Sequence, residues 1–206
     1  FGRTRSINVR KVLWTCDEIG VGYEHAELPP GVSSLRDPAY LAINPMGQLP
    51  AVITPDGQLL TESAACLIFI AESFPQARLA PPPGHRDRAK FLRWVMTIAG
   101  NIYPCVSRWD YPERFTTDPE GSAAVKQAAR AEADLLWVMV AQHLAPDPWC
   151  LSDFSALDVQ VAVMSRWMGG TERRRDLLPS LHTHAQRVLA RPAIGAVYRR
   201  HYPDEG

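Results

Sequence analysis

The 206-residue chain has no surplus of charge of either sign: 22 Lys+Arg stand against 22 Asp+Glu. A general nucleic-acid binder carries a basic excess, so that class is set aside. No apolar run approaches the roughly 20 residues that cross a bilayer, and no leader pattern opens the chain; neither a membrane span nor a signal peptide is expected. Cysteine is scarce. Cys16, Cys66, Cys105 and Cys150 are scattered, with no Cys-x-x-Cys pair. That argues against a zinc ribbon and against a dithiol redox motif. Four reduced structural thiols in a cytoplasmic protein are the expectation. His182 and His184 face two directions on a helical pattern, so they do not make a metal face and no metal is expected. Internal repeats are absent. So is an initial Met: "FGRTRS" reads as the end of a strand running into a loop, and a few residues are expected to precede it.

What is present is a globular composition, 46% hydrophobic, in a chain long enough for one large domain or two small ones. Val9, Val12, Leu13, Cys16 and Ile19 recur at helical spacing, and Gly20 supplies a stop. "VGYEHAELP" alternates like a short strand. "LRDPAYLAIN" is a short irregular or helical piece. Leu49 to Ile53 reads as a strand, Pro55-Asp56-Gly57 as a turn, and Gln58-Leu59-Leu60 as the partner strand. A helix follows over 62–74, with Ala65, Ile68, Phe69 and Glu72 in register, and ends before Pro75. "LAPPPGHRD" is then a semi-rigid linker. Beyond it the pattern is helical: 86–110 with a kink at Pro104, then 119–144, 155–168, 178–189 and a last helix opened by Pro192. The division predicted is a mixed α/β domain over 1–79, a linker over 80–84 and an all-helical domain over 85–206.

The stretch "NPMGQLPAVITPDGQLLTES", Asn44 to Ser63, carries the chemistry. A proline cannot donate a ladder hydrogen bond, so Pro50 belongs at a strand's first residue or edge. With a cis bond there, Leu49 would turn its N–H and C=O outward, a free edge for an extended peptide. A plain trans proline at a strand start fits the same residues. Glu62 and Ser63 fall at a helix N-terminus, where free N–H groups and the helix dipole favour an anion. Ser63 can donate to a carboxylate and Glu62 can accept from an ammonium, a pairing suited to an α-amino acid. A simple cap by Thr61 or Ser63 is the other reading.

The turn "NPMGQLP", the hairpin, "TES" and a helix before a proline-rich linker resemble the thioredoxin-like domain of the cytosolic glutathione transferases. The resemblance runs over essentially the whole chain and implies that family's fold: an α/β thioredoxin-like N-terminal domain plus an all-α C-terminal domain. It implies that Pro50 is cis and that Leu49 pairs its backbone with the cysteinyl part of glutathione. Glu62 and Ser63 would hold the γ-glutamyl group, and Gln48 would lie near the glycyl carboxylate. "LSDFSALDVQVAV" is similar to the family's buried capping box, with Ser155 as N-cap and Asp158 as its partner. The family more often has glycine at Ser152 and alanine at Leu157.

The family's thiol-activating residue, a tyrosine, serine or cysteine, lies in "GRTRSINVRKVLW". No tyrosine precedes Tyr23 and no cysteine precedes Cys16. Ser6 matches the serine of tau- and zeta-like members, and Asn8 matches an asparagine of some nu-like bacterial ones. A serine or nu-like class is implied, with Ser6 as thiolate contact and Asn8 beside it; Ser6 also fits an ordinary N-cap. Tyr103 and Trp109 are the candidates to line a second-substrate pocket, with Trp94 and Trp167 also available. The implied activity is conjugation of the glutathione thiolate to a small apolar electrophile, a detoxification reaction, in a cytoplasmic homodimer that pairs helix 62–74 of one subunit with helix 86–110 of the other. Disulfide reduction, isomerisation, dehalogenation or non-catalytic glutathione binding on the same fold are the alternatives.

Overall fold

The computed structural model describes residues 1–144, 147–168 and 175–202. By contact the chain forms two compact units: Phe1–Pro82 with Leu189–Gly206, and Pro83–Val188.

In the first unit, helix α1 (Ile7–Ile19) runs from Ser6 to Gly20, whose φ of 77° and ψ of 22° are the left-handed cap the sequence signalled. A short helix α2 (Pro38–Ile43) starts on Asp37, whose carboxylate accepts the Ala39 N–H at 2.8 Å. Strands β1 (Val52–Ile53) and β2 (Leu59–Leu60) form the predicted antiparallel hairpin, Val52 opposite Leu60 and Ile53 opposite Leu59. Two further extended pieces complete the layer. Phe1 and Ala51 exchange backbone bonds of 2.8 and 3.1 Å. Gly2 makes a parallel bridge with Glu27, through bonds to the Ala26 carbonyl and the Leu28 N–H. The order across the layer is therefore 26–28, 1–2, 51–53, 59–60. The strand expected from Val21 onward shrinks to that bridge: residues 22–27 are all exposed, so neither side of the segment is buried and it lies at an edge of the layer.

Helix α3 (Ser63–Ser73) packs on α1 through Val12, Cys16, Cys66 and Ile70, with Val52, Leu60 and Phe74 around them. Its buried face is Ala64, Cys66, Leu67, Ile70 and Ala71. The face read from the sequence is the other one: Ala65, Phe69 and Glu72 are exposed. The helix is apolar on nearly every side, so periodicity does not say which side is core.

The second unit is helical. Where one helix kinked at Pro104 was expected, α4 (Arg88–Thr97) passes through a π-helical turn (Ile98–Ile102) into α5 (Tyr103–Asp110). Proline lacks an N–H and crowds the carbonyl four residues back; the wider turn just before it relieves both. Helices α6 (Ser122–Leu144), α7 (Ala156–Ser165) and α8 (Pro179–Leu189) follow, and every residue of α7 is buried.

Helix α9 (Pro192–His201) was expected with the second domain. By contact it groups with the first unit. Arg191 is ion-paired to Glu18, and the Tyr198 ring meets Trp14 edge-on at 5.9 Å.

Candidate functional site

The first unit brings two helix N-termini together. Ser6 caps α1 in an extended conformation, yet its hydroxyl makes no cap hydrogen bond. Asn8, the second residue of α1, is 8% exposed. Its Oδ1 accepts from the hydroxyl of Ser63, the first residue of α3, at 3.2 Å. Fifty-five positions apart in sequence, Asn8 and Ser63 are thus neighbours, and unsatisfied N–H groups of both helices lie beside them.

Glu62 precedes Ser63 with φ 60° and ψ 108°. A non-glycine residue at positive φ costs about 1–3 kcal/mol, and such strain concentrates at ligand-holding positions. Glu62 is exposed, so its carboxylate is open to a cation from solvent. Behind it sits a residue the sequence reading missed. Lys11 on α1 is 1% exposed. Burial pulls its pKa down to about 7, while the Cys66 and Glu62 charges act in the opposite direction. An isolated Lys in an amphipathic pattern gives no sign that it will be buried.

The Leu49–Pro50 peptide bond is cis. The preceding carbonyl, of Gln48, is fixed by the Tyr40 hydroxyl at 2.5 Å and the Asn44 side-chain amide at 2.8 Å. Asn44 Oδ1 in turn accepts the Met46 N–H at 3.2 Å. Among the described residues, neither the N–H nor the C=O of Leu49 has a backbone partner, which leaves an open peptide edge there. Gly47 is required by geometry: its φ is 59°, and a Cβ would lie 2.6 Å from the Leu35 carbonyl. Tyr40 and Asn44 are supporting residues that sequence alone did not single out. The signal was the side-chain amide of Asn44 before a Pro-x-Gly turn, which bonds its own backbone two residues on. The exposed Gln48 side chain lies next to this edge.

Among the second unit's candidates, Trp94 is a core residue, 2% exposed and stacked on His143. Trp167 donates to Asp110 at 3.0 Å. Trp109 lies under two cations, the Arg130 guanidinium at 4.7 Å and the Lys126 ammonium at 5.9 Å. Tyr103 is half-buried at the first position of α5.

The capping box has the expected pairing, and more. Asp158 Oδ2 accepts the Ser155 N–H at 2.8 Å and the Ser155 hydroxyl at 2.9 Å. Its Oδ1 accepts the Cys150 N–H at 2.7 Å and faces His184 Nε2 at 2.8 Å. Cys150, Asp158 and His184 are all buried, and their ligand-type atoms lie within 4.8 Å of one another. That spacing would suit a metal ion. The carboxylate has about four lone-pair sites, however, and these contacts fill them. The group is a buried hydrogen-bond hub joining α7, α8 and the segment before α7.

Residues 5–73 match the family model described as glutathione S-transferase, N-terminal domain. Glutathione S-transferase GstB of Escherichia coli is 28% identical over 202 residues, 96% of this chain and 95% of that protein. Maleylacetoacetate isomerase of Pseudomonas aeruginosa is 28% identical over 203 residues, 89% of this chain and 88% of its own. A solved structure of a glutathione transferase homologue from Sulfitobacter with bound glutathione superposes with a TM-score of 0.85 at 22% identity, covering 97% of this chain and 95% of that one.

Proposed function

We propose, from the chain's membership of the glutathione S-transferase superfamily, that it binds glutathione in residues 1–79 and transfers its thiolate to a small apolar electrophile. One observation carries the reading. The Ser63–Asn8 contact joins the N-terminal ends of α3 and α1, so one ligand can meet Glu62, Ser63 and the Ser6 hydroxyl together. In this reading Glu62 accepts from the α-ammonium of glutathione. Ser63 and the α3 N-terminus take the α-carboxylate. The open edge of Leu49 pairs with the cysteinyl backbone, and Gln48 meets the glycyl carboxylate. The residues fit the group: Ser6 carries a hydroxyl not spent on capping, and the Leu49 edge is unpaired among the described residues.

Ser6 is the thiolate contact and Asn8 supports it. A free thiol has a pKa of about 8.5, and lowering it by two units takes about 2.7 kcal/mol of preference for the anion. A hydroxyl donor and a helix N-terminus each favour the charged form. Titrating the thiolate absorbance of bound glutathione tests the assignment. Ser6→Ala should raise the thiol pKa by about one unit with little change in affinity. A titration that overlays the wild type, while Asn8→Ala moves it, reverses the two roles.

Isomerisation is the second reading, favoured by the likeness to maleylacetoacetate isomerase. There the thiolate adds to the substrate and leaves again, so glutathione is regenerated. Mass spectrometry of products separates the two: a glutathione conjugate for the transferase, an unmodified isomer for the other. The proposal includes a cytoplasmic, detoxifying homodimer, with Tyr103 and Trp109 at the second substrate.

A further inference from the structure

We propose that the C-terminal helix α9 positions the loop carrying Ser6, acting through Tyr202 and Arg10. The proposal rests on the reading of Ser6 as the thiolate contact.

Arg10 ties both ends of the segment Thr4–Ser6. Its backbone N–H bonds the Ser6 carbonyl at 3.0 Å, as the first turn of α1 requires. Its side chain points back toward the helix N-terminus, as helical side chains do, and its Nε donates to the Thr4 carbonyl at 2.8 Å. The other polar groups of Thr4 are committed to Glu27: the N–H at 3.0 Å and the hydroxyl at 2.6 Å. Ser6 N–H closes the turn onto the Arg3 carbonyl at 2.8 Å. The position of the Ser6 hydroxyl therefore depends on Glu27 from one side and on the Arg10 side chain from the other.

An arginine has many rotamers, and holding it in one costs side-chain entropy. Arg10 is 4% exposed, and its guanidinium lies 3.8 Å over the ring of Tyr202. Tyr202 is braced by Tyr198, ring centroids 4.8 Å apart, and Tyr198 meets Trp14 at 5.9 Å. Residues 10 and 14 are one turn apart on α1, and 198 and 202 one turn apart along α9 and its cap. The three rings and one cation interleave as a ladder between two segments of equal pitch. Trp14 Nε1 adds a bond to His201 Nδ1 at 3.3 Å. With the guanidinium out of water, this cation–aromatic contact favours the Arg10 rotamer that reaches Thr4.

The test uses the full chain with Tyr202→Ala, Tyr202→Phe, Arg10→Lys and Ser6→Ala. Two readouts are taken: amide hydrogen exchange of Thr4–Ser6, and the pKa of the bound glutathione thiol. Tyr202→Ala should speed exchange of the loop severalfold and raise the thiol pKa by about half a unit or more. Tyr202→Phe keeps the ring face and should behave as wild type. Arg10→Lys keeps the charge but loses the planar fork, and should follow Tyr202→Ala; it also covers the case in which Tyr202→Ala fails to fold. Unchanged loop exchange in both Tyr202→Ala and Arg10→Lys overturns the proposal. So does a Tyr202→Phe variant as impaired as Tyr202→Ala. Faster exchange with an unmoved thiol pKa, in a protein whose Ser6→Ala shifts that pKa, overturns the positioning role. If Ser6→Ala itself leaves the pKa unmoved while Tyr202→Ala frees the loop, the coupling of α9 to the loop stands and only the thiolate reading of Ser6 falls.

Discussion

A carboxylate that makes four hydrogen-bond contacts is hard to replace. Asp158 is fully buried and holds Ser155, Cys150 and His184. Truncation would strand several donors at once, and breaking such a buried group costs about 3–5 kcal/mol. Asp158→Ala should lower the urea midpoint by a corresponding amount; an unaltered midpoint would show the hub to be dispensable. Glu62 presents the opposite case. Its φ of 60° opposes stability, and its side chain is where the ligand is read to bind. Glu62→Gly should melt no lower than the wild type, because glycine adopts positive φ without strain. It should bind glutathione at least about tenfold more weakly, roughly 1.4 kcal/mol. Calorimetry showing undiminished affinity would remove Glu62 from the site.

At the scale of elements, α1 and α3 matter for where they begin. Each opens on a residue the sequence marked, Ser6 and Ser63. The sheet layer brings the two openings together by placing residues 1–2 directly beside 51–53. Helix α9 has its own pH dependence. The pKa of His201 is held down at about 4, first by burial, then by Arg10 and Arg200, with His25 adding slightly and Asp17 opposing. The unfolded chain therefore binds this proton more readily than the folded one. His201's contribution is intact above about pH 6.5 and declines as pH falls toward 4. The melting temperature should drop between about pH 7 and pH 4.5, and the drop should be smaller in His201→Gln. Equal drops in the two proteins would mean that other groups set the acid limit.

At the scale of the whole molecule, the outward face of α3 carries Ala65 and Phe69, the latter 44% exposed, while Glu72 lies exposed beside them. We propose that this face belongs to a homodimer contact with the helix pair α4–α5 of a second copy. Light scattering should then give twice the 22.9 kDa of one chain, and Phe69→Glu should shift it toward the monomer by burying a charge in an apolar contact. A wild-type mass of one chain would refute the dimer.

Local signals in the sequence determined a good deal. Gly20 and the Pro55-Asp56-Gly57 corner set backbone geometry by their own covalent structure, so the end of α1 and the hairpin were legible without any partner. The Ser155–Asp158 spacing likewise specifies a cap, because both groups lie within one turn. What tertiary structure alone decided are relations between distant segments. Nothing near Asn8 says that Ser63 will be its neighbour, nothing near Asp158 announces His184, and nothing about Lys11 says it will be buried. The inward face of α3 was not legible either, since a helix apolar all round has no preferred side until something packs on it. The grouping of α9 with the first unit involves the rings at 14, 198 and 202 meeting one another and the cation at 10 seating on the ring at 202. Periodicity encodes which residues share a face of one element. Which two faces meet is settled only by the packing of the folded chain.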